Sequence, residues 1–418
     1  MRLSLSLAFC MLISTIFGTD VFVINSYSQT LSRINLETNE VNNTFAMLGL
    51  APNHMAIKDH FGYVVISGAN SVQKIDLETG HTVTNIFIAD SSNPYDITIQ
   101  GDFAYVTGLF TNKVYKVSLL TDQVTNSISV GLGPEGMCVA DNKLYVANTG
   151  NYPNYTPSTV SVINLDSFSI LDTIPVEMNP QYLAYADGYV HVVCTGNWSD
   201  INGKICLIDP NTDSVSNTLT IGGNLGNIWI SPGHIAYVAE GLNTGIYRYN
   251  TQTLSIMNSI SNPFTPGGSC VWGNSDYVGI VDAQWGQNGI VRLVNQEGVV
   301  MHTYTVGMSP TDIRFYSGST PVDDEVAAPI SKLDIYPNPS STMNTKIHVR
   351  FSSKAFQPSC IFELYNIRGQ KVRTYILNSE QTINEEAVLD IHDLRTGVYL
   401  GILKNGRQQI TKKFSVIK

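Results

Sequence analysis

Apolar and polar residues alternate with a period of two along Pro134–Asn148, a pattern that predicts β-strands. Met137 and Val139 alternate with small or polar neighbours, and Leu144–Val146 contains the aromatic and β-branched types that favour strands. Between them, Asp141–Asn142 has side chains that favour a tight turn. The stretch therefore predicts a strand, a turn and a second strand.

This hairpin pattern recurs through most of the chain. Each copy begins with Pro, or once with Leu, and runs through apolar residues to an aromatic residue or His followed by Val. The spacing from Pro to the aromatic position is 11 residues in five copies, and 12 residues separate Leu225 from its aromatic. The copies begin at Pro52, Pro94, Pro134, Pro180, Leu225 and Pro266.

Each copy continues into a second half. A further apolar strand ends in Asn, Asp or Ser, a turn follows, and a fourth strand such as Val124–Val130 completes the unit. The unit thus holds four strands and repeats every 40 to 46 residues. Four antiparallel strands in a repeat of this length are typical of a β-propeller blade, whereas a solenoid of this period would be helical or leucine-rich.

The aromatic position occurs seven times, which predicts seven blades. It is occupied by Phe22, Tyr63, Tyr105, Tyr145, His191, Tyr237 and Tyr277. The first copy, Val21–Val23, has no first strand before it, and Pro310–Phe315 has the pattern of a first strand with no partner after it. Pairing between these two segments would complete the first blade, close the ring and remove both sheet edges.

Two further segments follow the predicted propeller of residues 20–317. Residues 318–330 are small, polar and flanked by Pro, which predicts a linker. Residues 331–418 contain six or seven short alternating segments separated by turns, which predict a small β-sandwich. Only 14% of the residues are charged, and no long stretch has helical periodicity. The predicted fold class is therefore all-β: a seven-bladed β-propeller followed by a C-terminal β-sandwich.

The N-terminus has the pattern of a secretory signal peptide over residues 1–19. Arg2 is followed by an uncharged apolar run, Leu3–Phe17, and then by small residues. The run is shorter than the ~20 residues that a membrane-spanning helix needs, so no transmembrane segment is expected after cleavage. Lipidation at Cys10 is an alternative, although the bulky Phe9 before it suits a lipoprotein cleavage site poorly. The pattern favours export.

Charge divides unevenly along the chain. Residues 331–418 carry 13 Lys and Arg against 7 Asp and Glu, whereas residues 1–330 carry 11 against 27. The first segment therefore has a net charge of −16. This argues against nucleic acid or an anionic membrane as its partner, because their phosphates would repel it. Solubility outside the cell is a simpler reason for the acidic balance.

The predicted blade geometry places a candidate ligand site on one face of the ring. The loops between second and third strands lie on the same face as the connections between blades, here called the loop-rich face; the turns between first and second strands lie on the opposite, plain face. Three of these loops combine aromatic residues with Asn, Asp or Gln, and they contain Tyr152, Tyr155, Trp198 and Trp285. Such loops suit a carbohydrate or peptide ligand. The alternative is that the Trp side chains fasten long loops to their own blades.

The starts of the inner strands add a polar ring near the predicted axis. Its members are His54, Asp96, Glu135, Gln181, Tyr182, Asn227 and Asp312. Asp96, Glu135 and Asp312 are candidate calcium ligands, with solvated acidic side chains as the alternative. His54 is the best single titratable candidate, either as a ligand or base or as a structural histidine. No motif predicts a haem, zinc, phosphate or nucleophile site, so we assign no catalytic residue and no cofactor.

Five cysteines follow the signal peptide, an odd number that predicts no complete disulfide framework. Cys194 and Cys206 lie on strands two and three of one blade, equally far from Asp200 in the loop. A hairpin would bring them opposite each other, within disulfide reach. Cys138 and Cys270 are expected in the core, at matching inner-strand positions of distant blades.

The repeat resembles the YVTN-type β-propeller repeats of secreted and surface-layer proteins. The resemblance rests on Pro-x-x-Ile/Met followed by Tyr-Val-Thr/Ala-Asn, and the closest copies are Gly101–Thr107 and Asn142–Asn148. It covers residues 20–317 and implies the fold. It implies no single activity, because members of that family do not share one.

Residues 331–418 resemble the C-terminal sorting domain of type IX secretion. Four motifs carry the resemblance, and their key residues are Tyr336, Pro337, Asn338 and Pro339, then Gly369, then Gly397 and Tyr399, and finally Lys412 and Lys413. The resemblance implies recognition by the type IX secretion machinery, transport across the outer membrane, and surface attachment or release. A generic adhesive β-sandwich is the alternative.

Together these patterns predict an exported or surface-attached propeller that binds or scaffolds without catalysis, with a glycan or a protein as its ligand. The alternative is a propeller enzyme that acts on a sugar, lactone or glycan at the axis. The missing nucleophile or metal set favours the binding protein.

Overall fold

The computed structural model describes residues 19–242, 244–284, 286–317, 332–341, 346–352, 359–368, 370–378, 382–383, 386–405 and 408–417. The chain divides into two compact units, residues 1–319 and 320–418. The rest of the expected signal peptide and the expected linker lie outside the described residues. Thr19, which the sequence pattern placed in the signal peptide, begins the first strand.

The first unit is built from short antiparallel strands. Its first half contains β1 (Thr19–Asn25), β2 (Thr30–Asn35), β3 (Val41–Met47), β4 (Pro52–Lys58), β5 (Phe61–Ile66), β6 (Ser71–Asp76), β7 (Thr82–Phe87), β8 (Pro94–Gln100), β9 (Phe103–Gly108), β10 (Lys113–Ser118), β11 (Gln123–Ser129), β12 (Pro134–Ala140), β13 (Lys143–Asn148), β14 (Thr159–Asn164) and β15 (Ser169–Pro175). A single-turn 3-10 helix, Ser67–Ala69, lies between β5 and β6.

The second half of this unit continues the pattern. It contains β16 (Pro180–Ala186), β17 (Tyr189–Cys194), β18 (Lys204–Asp209), β19 (Ser214–Leu219), β20 (Leu225–Ile230), β21 (Ile235–Glu240), β22 (Gly245–Asn250), β23 (Ile256–Asn258), β24 (Thr265–Pro266), β25 (Cys270–Gly273), β26 (Val278–Asp282), β27 (Asn288–Val294), β28 (Val300–Met308) and β29 (Pro310–Ser317).

The described strands of this unit form seven sheets. Sheet 1 has the order β29-β1-β2-β3, and sheets 2 to 5 hold β4–β7, β8–β11, β12–β15 and β16–β19. Sheet 6 holds β20–β23, with β24 paired to β22, and sheet 7 holds β25–β28. The inner strands are β29, β4, β8, β12, β16, β20 and β25, and each contacts the inner strands of both neighbouring sheets. The sheets therefore surround a common axis, as propeller blades do.

Strands from the two ends of this unit close the ring. β1 pairs with β29, so that Phe22 lies opposite Arg314 and Val23 lies opposite Ile313. The predicted completion of the first blade by Pro310–Phe315 is confirmed. Sheet 1 thus joins residues that are almost 300 positions apart, and its inner strand comes from the end of the unit.

Apolar side chains hold neighbouring sheets together. Each of the seven interfaces between adjacent sheets contains one cluster of buried residues, such as Tyr145, Val162 and Leu183 between sheets 4 and 5. The cluster between sheets 7 and 1 includes Val291 and Ile313, so the closing interface is packed like the others. Alternating strand residues supply these clusters because every inner sheet face is covered by the next blade.

The seventh unit departs from the predicted alignment by two residues. Gly279, and not Tyr277, occupies the aromatic position of sheet 7. A Cβ atom on Gly279 would lie 2.8 Å from Ile313 and 3.0 Å from Phe315, so side chains of sheet 1 fill the space that a ring fills elsewhere. Pro266 pairs with β22 of sheet 6 and does not begin an inner strand. The alignment was wrong here because Pro266 and Tyr277 have the repeat spacing without the repeat positions.

The hairpin in β12 and β13 shows how each blade is oriented. Asp141 and Asn142 have positive φ angles of 46° and 61°, which match the two-residue turn that right-twisted strands favour. This turn lies at the plain face. Because consecutive strands are antiparallel, the longer connection from Asn148 to Thr159 lies at the loop-rich face.

The second unit consists of two packed sheets. Its strands are β30 (Lys332–Tyr336), β31 (Ser340–Ser341), β32 (Lys346–Ser352), β33 (Ser359–Asn366), β34 (Lys371–Asn378), β35 (Thr382–Ile383), β36 (Glu386–Asp390), β37 (Gly397–Asn405) and β38 (Gln408–Ile417). One sheet has the order β30-β32-β36-β35 and the other β31-β38-β37-β33-β34. Ile335 and Val349 from the first pack with Phe362 and Phe414 from the second in one core. This is the two-sheet arrangement that the alternating segments predict.

Candidate functional site

Polar residues at the third position of the inner strands join neighbouring sheets. The carboxylate of Asp96 in sheet 3 accepts a hydrogen bond from the backbone N–H of Met137 in sheet 4, at 2.9 Å. The carboxylate of Asp312 in sheet 1 accepts one from the N–H of Met55 in sheet 2, at 2.8 Å, and also pairs with Arg314. Asp96 and Asp312, two of the three acidic residues of the predicted ring, therefore serve contacts within the propeller.

Asn227 makes the same contact in two directions. Its side-chain oxygen accepts a hydrogen bond from the N–H of Val271 at 2.9 Å, and its NH₂ donates to the carbonyl of Val271 at 2.8 Å. Asn227 is 9% exposed. We refer to Asp96, Asn227 and Asp312 as the inter-sheet clamps, since each binds the backbone of the next inner strand.

A cavity of about 370 Å³ lies at the loop-rich ends of the inner strands. Its aromatic walls are His54, Tyr95 and Tyr182, with ring centroids 5.4 Å apart for His54 and Tyr95 and 6.0 Å apart for His54 and Tyr182. The hydroxyl groups of the two tyrosines lie within electrostatic range of each other. Asn53 and Gln284 contribute amides, and the other described lining residues are Ser269, Ala283, Ser309, Pro310 and Thr311.

Tyr95 was not predicted, although the repeat contains a signal for it. The second residues of the inner strands, counted from the Pro position, are Asn53, Tyr95, Glu135, Gln181, Gly226, Ser269 and Thr311. Four of these seven line the cavity. The polar ring expected from the sequence combined residues from the second and the third positions of the inner strands. In the structure, most second-position residues line the cavity. The third position supplies the clamps, together with His54 and Tyr182.

Glu135 is a partly buried acid beside this cavity. Its Oε2 atom is buried and has no hydrogen-bond partner among the described residues. Burial, and to a smaller extent the negative charge of Asp96, raises the pKa of Glu135 to about 8. Burial also raises the pKa of Asp96, against the opposing effects of His54 and of the hydrogen bonds from Ile97 and Met137. At pH 7 the carboxyl group of Glu135 therefore mostly keeps its proton.

The loops of sheets 4 and 5 bring three predicted aromatic residues together. The ring centroids of Tyr152 and Tyr155 lie 5.8 Å apart in an edge-on arrangement, and the Trp198 side chain lies close to the hydroxyl of Tyr155. Tyr152 is 82% exposed and Trp198 is 37% exposed. Tyr155 also lies within electrostatic range of Glu135. We call Tyr152, Tyr155 and Trp198 the aromatic cluster; it lies on the loop-rich face.

Trp198 packs on a neighbouring blade. A Cβ atom on Gly241, which follows β21 in sheet 6, would lie 2.7 Å from the indole ring. The indole therefore needs glycine at this position. Trp198 thus contacts a blade other than its own, a contact that the sequence pattern did not predict, and its side chain stays partly exposed.

The two remaining predicted loop and ring residues have separate outcomes. Trp285 lies outside the described residues, although its neighbour Gln284 lines the cavity. The side-chain oxygen of Gln181 lies 3.0 Å from the hydroxyl of Thr195, whose proton also reaches the carbonyl of Leu225 at 2.7 Å. Gln181 thus belongs to a polar contact between sheets 5 and 6.

Cys194 and Cys206 are both free thiols, with their sulfur atoms 3.9 Å apart. They are not directly opposite each other, because Cys194 pairs with Lys204 and Cys206 pairs with Val192. A hydrogen bond from Cys194 lowers the pKa of Cys206 to about 7 against the effect of burial. The expected opposite register is therefore wrong by two residues.

The positions of two further cysteines also differ from the sequence pattern. Cys138 and Cys270 are buried, as expected, but they do not share a position, because Trp272 is the sheet 7 equivalent of Cys138. Among the described residues, no group of three or more His, Cys, Asp or Glu side chains could hold a metal ion. The carboxylates of Asp96 and Asp312 are engaged in their clamp contacts, and the calcium hypothesis stays a prediction.

In the second unit, the tyrosine of the first sorting motif lies in a charged cluster. Tyr336 stacks on His348, with ring centroids 5.1 Å apart, and its hydroxyl donates to Glu386. His348 and Arg350 also bind Glu386, at 2.6 and 2.7 Å. Three hydrogen bonds, the first of them from Tyr336, hold the pKa of Glu386 at about 2. The motif is thus fixed to β32 and β36.

The other sorting motifs are tied to the last strand of the chain. The side-chain oxygen of Asn338 accepts a hydrogen bond from the N–H of Ser415 at 3.0 Å. Tyr399 is buried against Phe414, and its hydroxyl donates to the carbonyl of Arg395 at 2.7 Å. Lys412 pairs with an acid on β30, Pro337 is partly buried, and Pro339, Gly397 and Lys413 lie close to the surface. Gly369 lies outside the described residues.

The comparisons with known proteins separate the two units. Residues 334–418 match the family model described as secretion system C-terminal sorting domain. No curated protein matches the chain. Among the described residues, no helix is long or apolar enough to cross a membrane.

Two solved structures share the propeller architecture. Hydrazine synthase from Kuenenia stuttgartiensis is 15% identical, with a TM-score of 0.51 over 62% of this chain and 88% of that chain. A quinonprotein alcohol dehydrogenase-like protein from Bacteroides thetaiotaomicron is 14% identical, with a TM-score of 0.53 over 72% of this chain and 78% of that chain. At these identities the likeness shows the fold alone.

The described part of the first unit is therefore a β-propeller, and residues 334–418 are a secretion system C-terminal sorting domain, which implies type IX export to the cell surface or the exterior.

Proposed function

We propose that this chain is an exported binding protein whose loop-rich propeller face holds a glycan on the aromatic cluster. The observation that carries the proposal is the convergence of Tyr152, Tyr155 and Trp198, which belong to two different loops. Exposed aromatic faces beside amide and carboxyl groups suit the apolar faces and hydroxyls of sugars. The proposal needs no cofactor. The proposal also includes membership of the propeller in the YVTN-type family, which only the repeat motifs support.

A glycan array followed by titration tests the proposal. Trp198→Ala removes the largest exposed ring of the cluster, so we expect about tenfold or greater loss of affinity for any glycan that the full chain binds. Tyr27→Ala is the matched control, because Tyr27 is an exposed ring on the same face but in the first loop, outside the cluster. Equal affinity in Trp198→Ala and the unaltered chain would refute the assignment.

A protein ligand is the second candidate, and a specific observation favours it. Tyr27, Phe110 and Leu242 lie in three other loops of the loop-rich face and are 72%, 68% and 58% exposed. Exposed apolar side chains distributed around a whole face are typical of a protein interface. Binding that Tyr27→Ala or Phe110→Ala weakens while Trp198→Ala leaves it intact would favour the protein ligand.

A catalytic role and the route of export have their own tests. A panel of glycosidase, lyase and lactonase substrates examines the enzyme alternative, and turnover that Glu135→Gln abolishes would replace the binding proposal. For export, deletion of residues 320–418 removes the sorting domain. We expect the shortened chain to stay behind the outer membrane, and normal surface delivery would contradict the role of the domain.

A further inference from the structure

The axial cavity has a distinct charge character. Its described lining contains aromatic rings, amides, hydroxyls and small residues, and none of these is Lys, Arg, Asp or Glu. Two carboxyl groups, those of Asp96 and Glu135, lie within electrostatic range of its tyrosines. Arg314 is a nearby cation, but it is paired with Asp312. An anionic ligand would therefore meet acidic groups and no available guanidinium or ammonium group among the described residues.

Glu135 lies beside the cavity, within electrostatic range of Tyr95 and Tyr182, and supplies an unused hydrogen-bond acceptor. Its position in β12 corresponds to those of Asn53, Tyr95, Ser269 and Thr311, all of which line the cavity. Its Oε2 atom is buried without a partner among the described residues. A buried polar atom left without a partner costs free energy, and a ligand that supplies a positively charged donor would recover it.

The walls of the cavity suit the same kind of ligand. The rings of Tyr95 and Tyr182 present π-faces or edges to a cavity of about 370 Å³, which is the size of a small organic molecule. Aromatic rings attract cations, and the net charge of −16 on residues 1–330 raises the local concentration of cations. We propose that the axial cavity binds a small organic cation with a protonated amine, with Glu135 as its counter-ion and Tyr95 and Tyr182 as its aromatic walls. This site is separate from the aromatic cluster and does not depend on glycan binding.

Proton release is a specific consequence of this pairing. The titratable groups within electrostatic range of Glu135 are Asp96, Tyr95, Tyr182 and Tyr155, and His54 is the one imidazole in the described lining of the cavity. With a pKa of about 8, Glu135 carries a proton at pH 7 and must lose it to pair with an ammonium group. Binding at pH 7 therefore releases close to one proton. Affinity rises with pH until about pH 8 and then levels off.

Calorimetry on the full chain with three probes of similar size tests the proposal. The probes are 2-phenylethylamine, neutral 2-phenylethanol and anionic phenylacetate, titrated at several pH values in buffers of different ionisation enthalpy. We expect the amine to bind about 10- to 100-fold more tightly than the alcohol, as a charge-assisted hydrogen bond provides, and the anion to bind least. In Glu135→Gln, the preference for the amine and its dependence on pH should both disappear.

Two controls separate the outcomes. Thermal unfolding verifies that Glu135→Gln is folded, and Trp198→Ala should bind the amine like the unaltered chain. Absence of amine binding, equal affinity for amine and alcohol, or an unchanged preference in Glu135→Gln would overturn the proposal. Amine binding that Trp198→Ala abolishes and Glu135→Gln does not would place the amine at the aromatic cluster, which refutes this inference and leaves the proposed glycan site intact.

Discussion

The clamp at Asn227 makes a measurable prediction about what holds the ring together. Asn227→Ala removes two hydrogen bonds to the backbone of Val271, one from its N–H and one to its carbonyl. The substitution also leaves that N–H and that carbonyl without their side-chain partner in a buried interface. The apolar packing around Val271 should stay in place, because Asn227 contributes little apolar surface.

The size of the effect follows from the two lost contacts. A typical internal hydrogen bond contributes about 0.5–1.5 kcal/mol, and a buried donor or acceptor left unsatisfied costs about 1–3 kcal/mol. Two such groups at a site that is 9% exposed predict a loss of about 2–5 kcal/mol in the free energy of unfolding. This is a large share of the ~5–15 kcal/mol that stabilises an ordinary protein.

Chemical denaturation of the full chain, followed by tryptophan fluorescence, measures this loss. Asn217→Ala is a suitable control, because Asn217 is exposed on the outer strand β19 and bonds only to its neighbour Thr218 among the contacts that the structure describes. We expect the control to change stability by less than about 0.5 kcal/mol. If Asn227→Ala were no more destabilising than Asn217→Ala, the clamps would not be what joins neighbouring inner strands.

Three further predictions concern other parts of the molecule. Gly241→Ala places a methyl group where the Trp198 ring lies, so it should weaken glycan binding as Trp198→Ala does, and titration with the same glycan checks this. In the sorting domain, burial opposes ionisation of Glu363, but hydrogen bonds from two lysines and a tyrosine lower its pKa to about 2. Its carboxylate therefore stabilises the domain by up to about 3 kcal/mol above pH 4.5, and this is lost as the pH falls through 2; denaturation of Glu363→Gln should show a flatter acid dependence. Cys194→Ala removes the donor that lowers the pKa of Cys206, so the pH midpoint of Cys206 alkylation, followed by mass spectrometry, should move upward from about 7; an unchanged midpoint would contradict the hydrogen bond.

Local patterns explain why much of the fold was predictable. Strand alternation and turn residues act between near neighbours, so stretches such as Pro134–Asn148 identify a hairpin without any knowledge of the rest of the chain. The unmatched strand Pro310–Phe315 predicted closure because a propeller leaves no other partner for it. The predicted alignment of the seventh unit was wrong because it also rested on local spacing alone. Tyr277 satisfies that spacing, and only the contact of Gly279 with sheet 1 reveals the true register.

The candidate site was less predictable, because its contacts cross between blades. Nothing in the local sequence distinguishes Asp96, whose carboxylate is committed to the backbone of sheet 4, from Glu135, whose Oε2 atom has no partner among the described residues. Which residues lie opposite Cys194 and Cys206 depends on the residue pair that closes their hairpin. In the structure Cys194 pairs with Lys204, whereas counting from the centre of the loop had placed Cys194 opposite Cys206. The residues of the aromatic cluster were predicted from the loops that contain them, but the contact of Trp198 with Gly241 could not be, because Gly241 belongs to a different repeat.

The pairing of β1 with β29 has a consequence for how the chain is made and delivered. The inner strand of sheet 1 is Pro310–Ser317, so the ring stays open, with an unpaired edge at Thr19–Asn25, until that segment is available. The sorting domain follows directly in the chain. A chain that ends prematurely before residue 310 thus lacks both the strand that closes the propeller and the sorting domain. Only a chain long enough to close the propeller can also carry the sorting domain. Truncated chains are therefore not exported, and no additional factor is needed to distinguish them from complete ones.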